Sequence, residues 1–171
     1  SRKFSNETIP LKQNLFIVEA DEFNHHFLSL NPDISIITSM DHDHVDIYPT
    51  RDEYISAFEQ FCRNTHGPVF TLDSIANELP NNDNITRVTP KYFTFKTMIG
   101  WHNHNNASLA LAALEYVQHK AWTLNTTDKL IQSLESFQWL HRRAEFLGMN
   151  THNVPVYSDY GHHPDEIKST I

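Results

Sequence analysis

Ile34-Ser35-Ile36-Ile37-Thr38 runs straight into Ser39-Met40-Asp41-His42-Asp43-His44. A short, unbroken isoleucine-rich run has the pattern of a strand buried on both faces, as in a parallel sheet. The acidic and histidine residues then stand at the C-terminal end of that strand. The same pattern occurs upstream, where Leu15-Phe16-Ile17-Val18 ends in Glu19-Ala20-Asp21-Glu22, and a further buried run follows at Val69-Phe70-Thr71-Leu72. Tyr92-Phe93-Thr94-Phe95, with alternating aromatics, reads as a fourth strand. Val154-Pro155-Val156-Tyr157 reads as a fifth, placed at an edge or a strand start by its proline.

Helical runs lie between these strands. Over 50–63, Tyr54, Ala57, Phe58, Phe61 and Cys62 fall at helical spacing. Thr50, with Glu53 three residues on, predicts a capping box at the start of that helix. The alanine- and leucine-rich stretch 105–120 predicts a buried helix, and Leu130, Ile131, Leu134 and Phe137 make an apolar stripe over 127–137. The stretch 64–84 is loop-rich outside its strand, with a turn signal at Pro80-Asn81-Asn82-Asp83-Asn84. Strands mixed with helices along the chain predict an α/β fold with a mostly parallel sheet. Around 139–143 the helical pattern gives way to a new strand, which places a domain boundary there. Too few residues follow it for an independent core, so the expectation is that the chain begins or ends inside a larger protein.

The composition is that of a globular protein. The 171 residues are 39% hydrophobic and 20% charged, with a formal net charge of −8. That charge argues against broad binding to nucleic-acid phosphates, while leaving room for a small anion held by local positive groups. No apolar run approaches the ~18 residues of a membrane span. The start of the chain carries no stretch of signal-peptide type, and the single cysteine, Cys62, cannot form an internal disulfide; both features suit a reducing cytoplasm.

In open parallel sheets, ligands bind in the crevice outside the C-terminal ends of the strands. Glu19, Asp21 and Glu22 after one strand and 41–46 after the next would therefore meet at one site. Asp21 or Asp41 alone is better read as a solvated loop residue. Glu19 is not, because it directly ends a buried run, where an idle charge is costly. Two metal readings follow. His42-x-His44-x-Asp46 looks like the start of the paired-zinc metallo-β-lactamase motif, although Ile47 stands where that motif continues with a histidine. The other reading uses only Glu19 and His44 on one divalent ion. His102, Asn103, Asn105 and Asn106 open the alanine-rich helix after Gly100; they suit either a base edge or plain capping. Asp159-Tyr160-Gly161-His162-His163-Pro164 ends the fifth strand and leads toward a helix with Pro164 near its first position.

The order of these segments resembles the Mur ligase family. Glu19-Ala20-Asp21-Glu22 with Phe27-Leu28 resembles its EADE segment. Asp43-His44-Val45-Asp46-Ile47-Tyr48 resembles DH-x-D-x-Y, and Gly100-Trp101-His102-Asn103 with Asn106-Ala107 resembles G-x-HN-x-x-NA. Arg142-Arg143 with Phe146 and Gly148 resembles the RRF turn into the last domain. Asp159-Tyr160-Gly161-His162-His163-Pro164 is similar to the DYGHHP segment of the alanine-adding branch. Any one of these segments would be a weak signal; together and in order, over roughly 14–171, they are specific. The resemblance implies a three-layer central domain with a mostly parallel sheet over 1–139, followed by the start of a Rossmann-like C-terminal domain over 140–171. It implies an ATP-dependent ligase of peptidoglycan synthesis that uses ATP and magnesium. Its substrates would be UDP-N-acetylmuramate and L-alanine, with no nucleic-acid or membrane partner, in the cytoplasm.

Carried over residue by residue, the resemblance assigns Glu19 and His44 to the metal, and His102 and Asn106 to the adenine with Asn103 supporting their turn. It assigns Arg142 or Arg143 to the nucleotide phosphates and Asp159 to the ribose, with His162 and His163 lining the cleft. His44 rests on the resemblance alone, since oxygen ligands are what magnesium ordinarily takes. Three departures stand out. No glycine precedes Gly67 and no Gly-Lys pair occurs, so the phosphate loop of the G-x-x-G-K-T kind is absent from this chain. The stretch 61–100 is shorter than is usual in the family. No lysine occurs over 52–63, where many Mur ligases carry a modified one, and this fits the alanine-adding branch. From these departures the chain alone is expected not to ligate. A tripeptide-recycling Mur ligase, a zinc hydrolase using His42, His44 and Asp46, and an α/β module without catalysis remain as alternatives.

Overall fold

A computed structural model describes residues 15–79, 82–96, 98–119, 126–137, 141–162 and 167–168. After a 3-10 segment, Phe23–Ser29, the chain forms β1 (Ser35–Ile36), α1 (Arg51–Asn64), β2 (Val69–Leu72), α2 (Asp73–Ala76) and β3 (Ile85–Val88). It continues through α3 (Trp101–His119), α4 (Thr127–Glu135), β4 (Glu145–Met149) and β5 (Pro155–Ser158). The strands β1, β2 and β3 form a parallel sheet in that order, with Val69 opposite Ser35 on one side and Ile85 on the other. The pair β4 and β5 forms a separate antiparallel hairpin.

The α1 helix starts where the sequence placed it. The Thr50 hydroxyl accepts a hydrogen bond from the Glu53 amide, and the Glu53 carboxylate accepts one from the Thr50 amide. Tyr54, Ala57, Phe58, Phe61 and Cys62 are its buried face. They pack with Phe27, Ile37, Tyr48, Val69 and Leu79 into one core on one side of the sheet. The other face of the sheet has its own core, in which Phe70 and Val88 meet Leu109 of α3. Val69 and Phe70, adjacent in β2, serve opposite cores, as the alternation of a strand requires. The sheet is thus sandwiched between α1 and α3, the three-layer α/β arrangement, and a third cluster ties Phe93, Ala107 and Leu111 to α4.

Two expected strands are absent from the described structure. Residues 15–18 are irregular, and Phe16 and Ile17 are 88% and 83% exposed. A run suited to burial on both faces needs a neighbour in the sheet, and among the described residues β1 pairs only with β2. Tyr92-Phe93-Thr94-Phe95 is extended but unpaired. Two of its amides and that of the preceding residue meet side chains: Lys91 N donates to Ser108 Oγ at 2.7 Å, Phe93 N to His104 Nδ1 at 3.2 Å, and Thr94 N to Glu135 Oε1 at 2.8 Å. Its alternating aromatics signal packing on α3, with Phe93 2% exposed. The strand that does follow β2 is the β-branched run at 85–88, just after the asparagine-rich turn. In the hairpin, Phe146 pairs with Tyr157 and Gly148 with Val156, so Leu147 is an extra residue, a β-bulge beside Gly148 at φ +126°. The predicted boundary at 139/140 lies outside the described residues.

Candidate functional site

Three groups of polar residues are assembled. The first stands beyond β1. The chain leaves the sheet through buried Ile37 and Met40 and turns back at His44, whose φ is +56° and whose carbonyl accepts from Ile47 N and Tyr48 N at 2.8 and 2.9 Å. Asp43 Oδ1 accepts from the His44 amide at 2.6 Å. Tyr48, 1% exposed, anchors the loop: its hydroxyl donates to the Glu22 carbonyl at 2.6 Å, and its own carbonyl takes His42 Nε2 at 2.9 Å. This bond joins the two acidic loops, which are 26 residues apart in the chain. Burial and then the Glu22 charge raise the pKa of the Tyr48 hydroxyl, which therefore stays a donor.

The carboxylate brought beside the His44 imidazole is that of Glu22, with Oε1 3.5 Å from Nε2. Glu19 lies in the exposed stretch that precedes it, and Asp21 is engaged locally, capping Phe23 N at 3.0 Å. His42 faces Tyr48 and the Tyr54 ring, and Asp46 is exposed. Among the described residues no group of three or more histidine, cysteine or acidic side chains can hold a metal, so the paired-zinc motif has no assembled ligand set there. A carboxylate and an imidazole in contact do suit an ion that keeps most of its water and takes one or two protein ligands, as magnesium does.

The second group opens α3. Gly100 has φ +90°, and Asn103 secures the turn: its Nδ2 donates to the Ile99 carbonyl at 2.6 Å and its amide to the Gly100 carbonyl at 3.2 Å. His102 and Asn106 are one helical turn apart on a common face. Asn105 Oδ1 is sheltered from solvent with no hydrogen-bond partner among the described residues. Sequence reading passed over His104. Its ring stacks between Tyr92 and Phe95 at 4.6 and 4.9 Å, and its Nδ1 accepts the Phe93 amide. The aromatic alternation at 92–95 was the available signal for it.

The third group joins the two ends of the hairpin. Asp159 Oδ2 accepts from Ala144 N at 2.6 Å and Oδ1 from Gly161 N at 2.7 Å. Tyr160 N donates to the Arg142 carbonyl at 2.7 Å, and the Arg142 guanidinium lies 4.7 Å above the Tyr160 ring. His162 Nδ1 lies 3.3 Å from the Tyr160 carbonyl. His163 lies outside the described residues.

Comparison with known proteins gives the following similarities. The Mur ligase middle domain matches residues 5–89. UDP-N-acetylmuramate–L-alanine ligase of Myxococcus xanthus is 28% identical over 196 residues, covering 94% of this chain and 40% of that protein. The enzyme of the same name from Flavobacterium johnsoniae is 29% identical over 193 residues, covering 97% and 41%. The crystal structure of MurC, a UDP-N-acetylmuramate-alanine ligase from Thermotoga maritima, superposes with a TM-score of 0.62 at 26% identity, over 85% of this chain and 38% of that one. MurF of Acinetobacter baumannii shares the fold alone, with a TM-score of 0.60 at 15% identity. The chain thus carries a stretch of Mur ligase middle domain over 5–89 and is similar to members of that family, which are ATP-dependent ligases that form amide bonds. Within that family, the two curated relatives and the Thermotoga maritima structure carry the name UDP-N-acetylmuramate–L-alanine ligase. The chain spans about 40% of the length of the curated relatives it matches. The aligned stretches are themselves longer than this chain, so the relatives carry residues inside the match that this chain lacks, in keeping with the short 61–100 stretch.

Proposed function

We propose that this chain is part of an ATP-dependent ligase that joins L-alanine to UDP-N-acetylmuramate in the cytoplasm. It would supply the central nucleotide-handling domain over 1–139 and the first strands of the C-terminal domain over 140–171. The observation that supports this most directly is the match to alanine-adding ligases across nearly the whole chain, with the motif-bearing loops gathered beyond β1, at the start of α3 and at the hairpin ends. Among the described residues no helix is long and apolar enough to cross a membrane.

In this reading the lactyl carboxylate attacks the γ-phosphate of ATP to form an acyl phosphate. The amine of L-alanine then attacks the carbonyl carbon and phosphate leaves. Magnesium, when bound, offsets charge on the transferring phosphoryl group. Glu19 and His44 would hold it, with the Glu22 carboxylate 3.5 Å from the His44 imidazole. His102 and Asn106 offer both donors and acceptors to the adenine edge, from a turn that Asn103 secures. Arg142 or Arg143 would approach the phosphates from the second domain. Asp159 keeps a lone pair on each oxygen after binding its two amides, enough to accept both ribose hydroxyls. The resemblance assigns His162 and His163 to the cleft. UDP-N-acetylmuramate and L-alanine are its small-molecule partners.

In the ligase that contains this chain, Asn106→Ala should weaken ATP binding by about 1–2 kcal/mol, the cost of one lost hydrogen bond and an unpaired partner. Affinity for the uridine nucleotide should hardly move. Calorimetry showing unchanged ATP affinity with only a lower melting temperature would reduce Asn106 to a helix-start residue and remove the adenine assignment.

A further inference from the structure

The turn at 142–144 is held in a conformation that its own residues disfavour. Arg142 has φ +58° and Ala144 φ +49°, both left-handed and neither a glycine. Such residues persist where the surroundings over-determine them. Here the surroundings are a set of short bonds from both sides. Glu145 Oε2 accepts from Arg142 N at 3.0 Å while Oε1 meets His141 Nδ1 at 2.9 Å. From the other strand, Tyr160 N reaches the Arg142 carbonyl, and Asp159 takes the Ala144 and Gly161 amides on separate oxygens. The β4–β5 ladder ends at Glu145 opposite Ser158. One residue further, the Asp159 carboxylate takes the place of the backbone pairing that left-handed residues cannot continue. Ala144 is 4% exposed, while Arg142 and Arg143 are exposed.

We propose that Asp159 and Tyr160 are positioning residues. The Asp159 carboxylate clamps the arginine turn to the exit of β5, and the Tyr160 ring holds the Arg142 guanidinium against it, leaving Arg143 as the cation offered to an anion. The clause about the anion rests on the reading above, that this turn meets nucleotide phosphates. The chemistry supports the division. An aspartate beside two arginines would ordinarily form an ion pair with one of them; here both its oxygens bind amides. Arg142 lies over an aromatic face, a stable position for a guanidinium. No hydrogen bond or ion pair among the described residues holds Arg143.

The test is nuclear magnetic resonance on the isotopically labelled 171-residue chain, with the Phe146–Tyr157 cross-strand contact as the control for an intact hairpin. In the wild type, the Arg142 methylene protons should be shifted upfield by the Tyr160 ring, and the Ala144 and Gly161 amides should exchange slowly. Asp159→Ala should speed exchange of both amides by about tenfold or more and collapse the Arg142 shift although Tyr160 is untouched. Tyr160→Phe should keep the Arg142 shift, and Tyr160→Leu should erase it while the two amides stay protected. Should Asp159→Ala open the hairpin, Asp159→Asn, which keeps one acceptor, should release one amide and leave the other slow. An Arg142 shift that survives loss of the carboxylate in an intact hairpin overturns the clamp; so does a shift lost in Tyr160→Phe. Titration with tripolyphosphate then separates the two claims. Movement of the Arg143 Nε–H signal ahead of Arg142 supports the division, and the reverse order overturns it. If neither arginine responds, the phosphate reading of the site fails, while the exchange and ring-shift results judge the clamp by themselves.

Discussion

Strands β2 and β4 are built from similar residues and meet opposite fates. In Val69–Leu72 the first three residues are buried, Val69 and Thr71 completely. In Glu145–Met149 none is buried, and Leu147 and Met149 are 61% and 53% exposed. Hydrogen bonding does not distinguish them, since both strands are paired. What differs is the number of layers. Strand β2 lies inside a sheet with α1 on one face and α3 on the other, and each alternate side chain enters a separate core. The β4–β5 hairpin has apolar residues on both faces, and a two-stranded sheet cannot bury them by itself. Pairing orders the backbone, but it is the covering layer that removes apolar surface from water, at roughly 25 cal/mol per Å².

The sharpest way to break this comparison is a large-to-small change on the α1 face. Phe61 is 6% exposed and its ring lies 5.1 Å from Phe27. Phe61→Ala should cost about 3–5 kcal/mol in urea unfolding, the usual loss for a buried aromatic. A loss near zero would mean that this core is not the one holding the sheet. The next effect comes from the joint between α1 and the sheet. Asn84 Nδ2 donates to the Cys62 carbonyl at 2.8 Å and to those of Thr65 and Gly67 at 3.3 Å. Asn84→Ala should destabilise by about 1–3 kcal/mol, because these carbonyls at the helix end lose their donor; equal unfolding midpoints would refute that.

The same core carries a pH signature. Burial pushes the Cys62 thiol from its ordinary 9.0 up to about 11. Between those values the folded chain keeps a proton that the unfolded chain has released. Stability from this group is therefore intact below pH ~9 and falls as pH rises toward 11, by up to ~1.4 kcal/mol per pH unit. Tyr48 and Tyr54 are also raised by burial and add to the loss at the alkaline end. The Cys62 share is the difference in alkaline slope between wild type and Cys62→Ala, and parallel slopes would contradict it. The smallest effect belongs to the hairpin. Phe146 is 42% exposed, and Phe146→Ala should change the cooperative unfolding free energy by about 0.5 kcal/mol or less. A loss as large as that of Phe61→Ala would show that the hairpin face is covered after all.

Legibility in the sequence followed the range of the interactions. The capping box at Thr50 and Glu53, the helical stripe of α1 and the isoleucine run of β1 depend on residues a few positions apart, and all were readable. The irregular fate of 15–18 was not, because whether an apolar run becomes a strand depends on which neighbour stands beside it in the sheet. The aromatics at 92–95 misled for a related reason: period-two alternation describes any extended segment with one buried face, whether its amides meet a strand or, as here, the side chains of α3 and α4. In the candidate site, the motif order named the loops, and the structure then showed which atoms in them touch. The partner of His44 is Glu22, and the bond joining the two loops is the Tyr48 hydroxyl on the Glu22 carbonyl. Neither contact has a spacing rule, since each spans more than twenty residues.

The amino-acid sequence by itself determined the class of fold, the start of α1 and the resemblance to the Mur ligases, while α3 begins at Trp101, four residues before the expected 105. These follow from local periodicity, capping chemistry and the order of short motifs, all of which survive without knowledge of distant contacts. Only the tertiary structure decided that the sheet, among the described residues, is three strands between α1 and α3, that His104 is an aromatic-stacked support for the 92–95 segment, and that Asp159 binds the Ala144 and Gly161 amides. Those outcomes turn on which donor meets which acceptor across long stretches of chain. A carboxylate can bind an arginine or an amide by its chemistry, and only the packing around it selects between them.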